Sequence, residues 1–208
     1  QGTLHPLTLV TEEITRIFAE QGFAVALGPE LESEWNNFDS LNVPKDHPAR
    51  DMQDTFWIKD RPGKLLRTHN SALQVPYMKT HTPPFKMVSP GKVFRNEATD
   101  ATHEMQFHYL EGLVVGEGVT VEHLKQILLN FTKRFFGQNA EIRLRPSFFP
   151  FVEPGFEVDV WNGHKWLEIL GAGMVHPIVL KNGDIDPEKY TGFAFGMGID
   201  RIMMIKFG

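Results

Sequence analysis

The sequence predicts an α+β domain in which helices flank an antiparallel β-sheet. Three observations carry that reading: apolar residues recur at helical spacing in two segments, other segments alternate apolar and polar residues with period two, and the alternating segments follow one another along the chain. Strands in succession with helices segregated indicate an antiparallel sheet, whereas regular strand–helix alternation indicates a parallel one.

The first helix is predicted over Pro6 to Gln21, where Val10, Ile14, Ile17 and Phe18 form the apolar face and Gly22 supplies the stop. Ser71 to Lys79 also reads as helical, but Pro76 removes a backbone donor and is expected to kink or shorten it. Lys86 to Arg95 and Gln106 to Val115 read as two strands joined by a polar loop. A long helix follows over Val121 to Phe136, with Leu124, Ile127, Leu128, Phe131 and Phe135 in one stripe, Thr120 as its cap and Gly137 as its end. Glu141 to Arg145, Glu157 to Val160 and Lys165 to Ile169 alternate as strands do. A Gly-rich turn, Gly192 to Gly198, is predicted to lead into a last helix over Ile199 to Phe207.

Composition narrows the function classes. A net charge of −5 over 208 residues argues against a chain whose main task is to coat a nucleic-acid backbone. The absence of cysteine excludes disulfides and thiolate metal sites, and it suits a reducing compartment. No apolar run approaches the ~20 residues of a membrane span, and Gln1 opens no signal peptide. The expectation is therefore a soluble, cytoplasmic chain with no membrane partner, and a first residue other than Met points to a fragment.

Three tempting motifs fail on spacing. His103 and His108 flank Glu104 but stand five apart, whereas a helical zinc-protease motif needs four. Gly192 to Gly198 lacks the Gly-Lys-Ser/Thr ending of a P-loop, and Gly171-Ala-Gly173 lacks the third glycine of a dinucleotide fingerprint.

Three separated blocks fit together instead. The first runs from Gly22-Phe23 through Pro29-Glu-Leu-Glu32 and Asn37-Phe-Asp-Ser-Leu-Asn-Val-Pro44 to His47-Pro-Ala-Arg50. The second is Val93-Phe-Arg95-Asn-Glu97, a polar loop through His103, and Phe107-His-Tyr-Leu-Glu-Gly112; the third is Gly192-Phe-Ala-Phe-Gly-Met-Gly-Ile-Asp-Arg201. In this order they resemble the three signature motifs of class II aminoacyl-tRNA synthetases. Arg67-Thr-His-Asn-Ser71, Phe148-Phe-Pro-Phe-Val-Glu-Pro154, Trp166-Leu-Glu168 and Gly173-Met-Val-His-Pro177 extend the resemblance to the bacterial phenylalanyl-tRNA synthetase alpha subunits, over nearly the whole chain.

The resemblance implies a class II synthetase catalytic fold, ATP-dependent activation of L-phenylalanine, and transfer to tRNA(Phe). It implies one catalytic domain over 1–208, without the family's N-terminal coiled-coil arm, working with a beta subunit in a heterotetramer of two alpha and two beta. By resemblance, Arg95 holds the α-phosphate of ATP and Arg201 packs on adenine and reaches the γ-phosphate. Phe107 stacks on the other adenine face, and Glu97 and His103 add loop contacts. His69, Ser71, Tyr109, Glu111, Phe149, Phe151, Ala194 and Gly196 are the matching phenylalanine-binding positions, and Glu153 matches a Mg²⁺ ligand. The residue types suit this chemistry. Fixed cations stabilise the charge that gathers on a reacting phosphate, and an apolar slot with a few polar partners suits an aromatic amino acid.

The chain departs from the family at three places. Tyr109 stands where glutamine is usual: either its hydroxyl replaces one polar contact of that glutamine, or the pocket is altered. Pro76 interrupts a helical segment, and Ala26 is smaller than the usual branched residue. Two alternatives stay open at this point: a paralogue that activates a different amino acid, and a non-catalytic ligand-binding paralogue.

Overall fold

A histidine–proline pair starts the first helix, α1 (Pro6–Ala19). His5 Nδ1 accepts a hydrogen bond from the Leu7 amide at 3.2 Å, and Pro6 fills the first helical position, where its missing N–H is not needed. The computed structural model describes residues 2–46, 55–96, 105–161 and 163–207. After α1 come β1 (Ala24–Val25), β2 (Leu31–Ser33), the single-turn helix α2 (Glu34–Asn37), β3 (Lys64–Leu66) and a 3₁₀ turn over Asn70–Leu73. Then follow α3 (Gln74–Thr80), β4 (Phe85–Phe94), β5 (Gln106–Gly116), α4 (Val121–Phe136), β6 (Ile142–Phe149), β7 (Val152–Trp161) and β8 (Trp166–Val175). The chain closes with α5 (Pro177–Asn182), β9 (Thr191–Gly198) and α6 (Ile199–Phe207).

Seven strands form one sheet in the order β1–β4–β5–β9–β8–β7–β6, while β2 and β3 pair separately. Every neighbouring pair in the large sheet is antiparallel except β1 with β4. The predicted α+β class and its antiparallel sheet are therefore the observed ones.

Alternation along the strands divides the sheet into two faces. Leu110, Phe193, Phe195, Met197, Ala172 and Val158 point to one side, where Phe18 of α1, Phe131 of α4 and Ile202 of α6 cover them. Rings stack there, with Phe18 centred 5.0 Å from both Phe131 and Phe195. The other face is only partly covered. Leu113, Ala194, Val152 and Val175 pack under Val75 and Met78 of α3 and Val179 and Leu180 of α5, and the rest of that face stays open.

Some elements differ from the expectation. Gly192 to Gly198 is a strand, because each glycine or alanine alternates with Phe or Met and the large residues all fall on the helix-covered face. The helical segment around Pro76 is shortened as expected: a 3₁₀ turn occupies Asn70–Leu73 and α3 begins at Gln74. This leaves Pro76 in the first turn, where the amide has no intrahelical acceptor to lose, so the proline is tolerated. Thr120 caps α4 through a reciprocal box with His123, whose Nδ1 accepts from the Thr120 amide at 3.1 Å.

Gly112 of β5 pairs with Phe195 of β9, and a methyl group on Gly112 would overlap the Phe195 ring. Gly112→Ala should therefore lower stability by about 1–3 kcal/mol, as expected of an overpacked core. Urea denaturation monitored by far-UV circular dichroism measures this, and a midpoint equal to the parent's would show that the ring relocates freely.

Candidate functional site

The open face carries the site, and strand alternation decides which residues reach it. Tyr109 and Glu111 on β5, Ala194 and Gly196 on β9 and Gly171 on β8 share that face, because their odd-even neighbours point into the helix-covered core. Together with Ser71, Phe149, Phe151 and Val152 they line a slot with a cavity of about 40 Å³. The Phe149 and Phe151 rings stand 6.1 Å apart at one wall, in a stacked arrangement. Gly171 pairs with Gly196, which leaves two adjacent backbone positions without side chains as the floor. Ala194, 2% exposed, closes the deep end against the packing beneath α3 and α5.

A polar wall faces those rings. Gln74 Nε2 donates to Glu111 Oε1 at 2.5 Å, and both residues are buried. Ser71 and Gln74 stand three apart, one helical turn, so both can face the same carboxylate. Glu111 Oε2, Gln74 Oε1, His69 Nδ1, Asn70 Oδ1 and Ser89 Oγ are buried and accept or donate no hydrogen bond among the described residues. The Ser71 side chain, like that of Gln74, favours the ionised carboxylate. Burial pushes Glu111 up to about 8, against the Gln74 and Ser71 side chains that favour its charge. Burial, assisted by the Arg95 charge, lowers His69 to about 3, so this imidazole is neutral at ordinary pH. Burial also raises the Tyr109 phenol, with the Glu111 charge adding to it. Unpaired buried polar atoms are rare in folded proteins, and a cluster of them beside a slot marks where a polar ligand group completes the bonding.

A scaffold of side-chain-to-backbone bonds holds this wall. Asn70 Nδ2 donates to the carbonyls of Ser89 at 2.9 Å and Tyr109 at 3.0 Å, which ties the 3₁₀ turn to β4 and β5. Asn37 and Thr68 exchange two bonds at 3.0 and 3.1 Å. Arg67, itself buried, donates to the carbonyls of Lys92 and Gly28 at 2.7 and 2.9 Å. Gln74 and Asn70 carry much of this geometry, and neither was singled out from the sequence. The available signal was the helical spacing of Gln74 from Ser71.

The cationic residues sit toward the other end of β5. Arg95 lies just beyond β4, with its guanidinium 5.1 Å from the Phe107 ring centre and its Nε donating to the Thr68 carbonyl at 3.3 Å. Phe107 meets Tyr109 edge-on at 6.5 Å, so these rings link the Arg95 position to the slot. Arg201 lies in the first turn of α6, exposed, with Nε donating to the Glu168 carbonyl at 2.9 Å. Asp200 fixes the start of α6 by accepting from the His108 amide at 2.6 Å, just beyond the Tyr109–Gly198 end of the β5–β9 ladder. His69 does not line the slot itself; its ring stands 6.3 Å from that of Phe151. Glu97 and His103 lie outside the described residues.

Glu153 is the residue expected to hold Mg²⁺. Glu153 is exposed on β7, and among the described residues no group of three potential ligands gathers around it or elsewhere. The other acidic residues of β7 and β8 are already engaged: Arg145 bonds Glu157 at 2.8 Å, Asp159 at 2.8 Å and Glu168 at 3.4 Å, and Arg143 bonds Asp159 at 2.7 Å. One carboxylate can contribute to a Mg²⁺ that keeps its waters, but these residues do not form a metal site by themselves.

The family model described as tRNA synthetases class II core domain (F) matches residues 1–208. The phenylalanine–tRNA ligase alpha subunit of Dehalococcoides mccartyi is 53% identical over 225 residues, covering all of this chain and 65% of that protein. Those of Flavobacterium johnsoniae and Xylella fastidiosa are each 52% identical, with 64% and 63% of their lengths covered. The chain thus spans a little under two thirds of these relatives. Among solved structures, the pyrrolysyl-tRNA synthetase of Desulfitobacterium hafniense superimposes with a TM-score of 0.74 over 96% of this chain and 68% of that one. At 19% identity that likeness is one of fold.

The Glu111 environment has a pH signature. A carboxyl whose pKa is raised on folding favours the folded state fully below its unfolded value of ~4.5, and the contribution fades as pH rises toward 8. His69 acts oppositely and lower down, because its depressed pKa withdraws stability as pH falls from 6.5 toward 3. In the ligand-free protein, Glu111→Gln should flatten the decline in stability between pH 5 and 8. Denaturation midpoints of parent and variant at both pH values measure it, and equal slopes would remove the assignment.

Proposed function

We propose, from the premise that the chain belongs to the class II tRNA synthetase core domain (F) family, that it is the catalytic part of a phenylalanine–tRNA ligase alpha subunit. It activates L-phenylalanine with ATP and passes the phenylalanyl group to tRNA(Phe). The observation that carries this reading is the slot itself: an aromatic-walled recess with a small floor, bounded by buried polar atoms that lack partners.

Each part of that arrangement has a task in the reaction. Phe149, Phe151 and Ala194 receive the substrate ring, while Ser71, Gln74 and Glu111 meet its charged end, with His69 behind them as a neutral partner. The ammonium group, a donor with one positive charge, suits the unpaired oxygens of Glu111 and Gln74 and holds Glu111 ionised. The substrate carboxylate is then oriented toward the end of the site that Arg95 and Arg201 occupy. Its oxygen forms a bond to the α-phosphorus as the bond to the leaving pyrophosphate breaks. Arg95 stabilises the charge on the α-phosphate oxygens, and Arg201 holds the nucleotide by stacking and by its charge on the terminal phosphate. Phe107, already paired with Arg95, offers its face to adenine. In the second step a terminal ribose hydroxyl of the tRNA attacks the activated carbonyl and AMP leaves.

Several finer parts belong to the same proposal. Glu97 and His103 supply further ATP contacts, Mg²⁺ accompanies ATP with Glu153 as one of its ligands, and residues 1–208 act as one catalytic domain. A beta subunit in an assembly of two alpha and two beta completes the enzyme, which works in the cytoplasm. Among the described residues no helix is long and apolar enough to cross a membrane.

Amino-acid-dependent ATP–pyrophosphate exchange, in the protein that carries this chain and with its partner subunit, tests the reading; exchange with no amino acid at all would overturn it. Arg95→Ala and Arg201→Ala should each abolish most exchange while the fold survives, with a loss of ~3–4 kcal/mol in transition-state binding for Arg95. A folded variant with parental exchange removes that arginine from the site. Ala194→Gly should admit para-substituted phenylalanines, since a methyl group is worth only ~1–3 kcal/mol of discrimination. An unchanged substrate profile would make Ala194 a packing residue alone.

A further inference from the structure

The Tyr109 ring occupies part of the slot. Tyr109 faces Gly198 across the β5–β9 ladder, but its side chain leans two residues toward the slot, so that its hydroxyl and ring edge lie over Gly196. A methyl group on Gly196 would overlap both. From the opposite side the Phe149 ring lies over Gly171, the neighbour of Gly196, with its Cζ 3.1 Å from where a methyl group would stand. Two rings therefore converge from opposite sides on a floor of two glycines.

The space left between them decides what can enter. The remaining cavity is about 40 Å³. A dry protein cavity that accommodates a benzene ring measures about 150 Å³. A phenyl side chain thus does not fit while the Tyr109 ring rests on Gly196. Closely packed side chains change position by hopping between staggered rotamers, and a hop of Tyr109 is the step that vacates the floor.

We propose that Tyr109 is the specificity-determining residue of the slot: its ring occupies the substrate's place over Gly196 and must swing away before an aromatic amino acid binds. This rests on the phenylalanine-activating reading and deepens it. Binding then selects a minor open state, and the apparent affinity for phenylalanine is reduced by the population of that state. A substrate whose side chain stays clear of the Gly196 floor escapes this penalty, so Tyr109 lowers the preference for aromatic over small aliphatic amino acids. Gly196 and Tyr109 act as a pair in this, since only a bare Cα lets the ring lie down.

Two measurements on the protein that carries this chain, with its partner subunit, test the proposal. In ATP–pyrophosphate exchange, Tyr109→Gln should lower KM for phenylalanine about tenfold, the gain expected when an open state populated at about one part in ten becomes the only state. Exchange with alanine, whose side chain is a single methyl group, should gain no such factor, kcat for phenylalanine should change less than KM, and Tyr109→Phe, which keeps the ring, should not reproduce the gain. Independently, the protein is labelled with 3-fluorotyrosine, and the Tyr109 ¹⁹F resonance is assigned by its loss in Tyr109→Phe. That resonance should shift when phenylalanine is added to saturation.

An unshifted resonance in a protein that activates phenylalanine overturns the gate and leaves the phenylalanine reading standing. So does equal KM in the parent and a folded Tyr109→Gln variant. Failure of both parent and variant to activate phenylalanine overturns the functional reading and the gate with it.

Discussion

The pairing of β5 with β9 is the constraint on which the rest depends. From Tyr109 opposite Gly198 to Gly116 opposite Thr191, each residue on one strand has a fixed partner on the other, and the pleat sends alternate residues to opposite faces. On β9 this sorts Phe193, Phe195 and Met197 beneath the helices and leaves Ala194, Gly196 and Gly198 on the open side. A slip of one residue would put the phenylalanines into the slot and the glycines into the core. Stability and ligand access are therefore set by one register. The stacked rings of Phe18, Phe131 and Phe195 anchor it from behind.

Much of this was legible from periodicity. The long helix Val121–Phe136 and the last helix Ile199–Phe207 have the predicted bounds; the long helix carries a continuous apolar stripe and is capped by Thr120. The glycine-rich segment Gly192–Gly198 reads as a turn in the sequence, since glycine is poor in strands on average, but is a strand; here its lack of a side chain is what a crowded, ligand-facing strand surface requires. The motif residues were found through their order along the chain. What no motif reveals is the depth of burial of Glu111 or the bond from Gln74 that holds it, because both arise only when α3 settles over the sheet. The direction in which Tyr109 leans is likewise a tertiary fact.

The polar wall illustrates how a site can be rigid and unsatisfied together. Arg67, Asn37, Thr68 and Asn70 are spent on backbone and one another, which holds the segment from Arg67 to Ser71 against β4 and β5. Next to that fixed frame, Glu111, Gln74 and His69 keep atoms without partners. Such atoms are unfavourable in the free protein, and a ligand that bonds them recovers part of that free energy on binding. Preorganised frames of this kind suit selective recognition because little has to be ordered when the ligand arrives.

The rings that lie on bare glycines make the order of sequence change matter. Phe195 rests against Gly112, and Tyr109 against Gly196. In each pair the large partner can shrink first and leave a gap, which a compact protein can tolerate. At position 112 the glycine grows first only by overpacking the core, because its new methyl meets the buried Phe195 ring; at position 196 the Tyr109 ring can swing aside. Lineages of this domain should therefore reach an alanine at position 112 more readily through intermediates that have already lost the phenylalanine at 195, so the order of those two changes is biased.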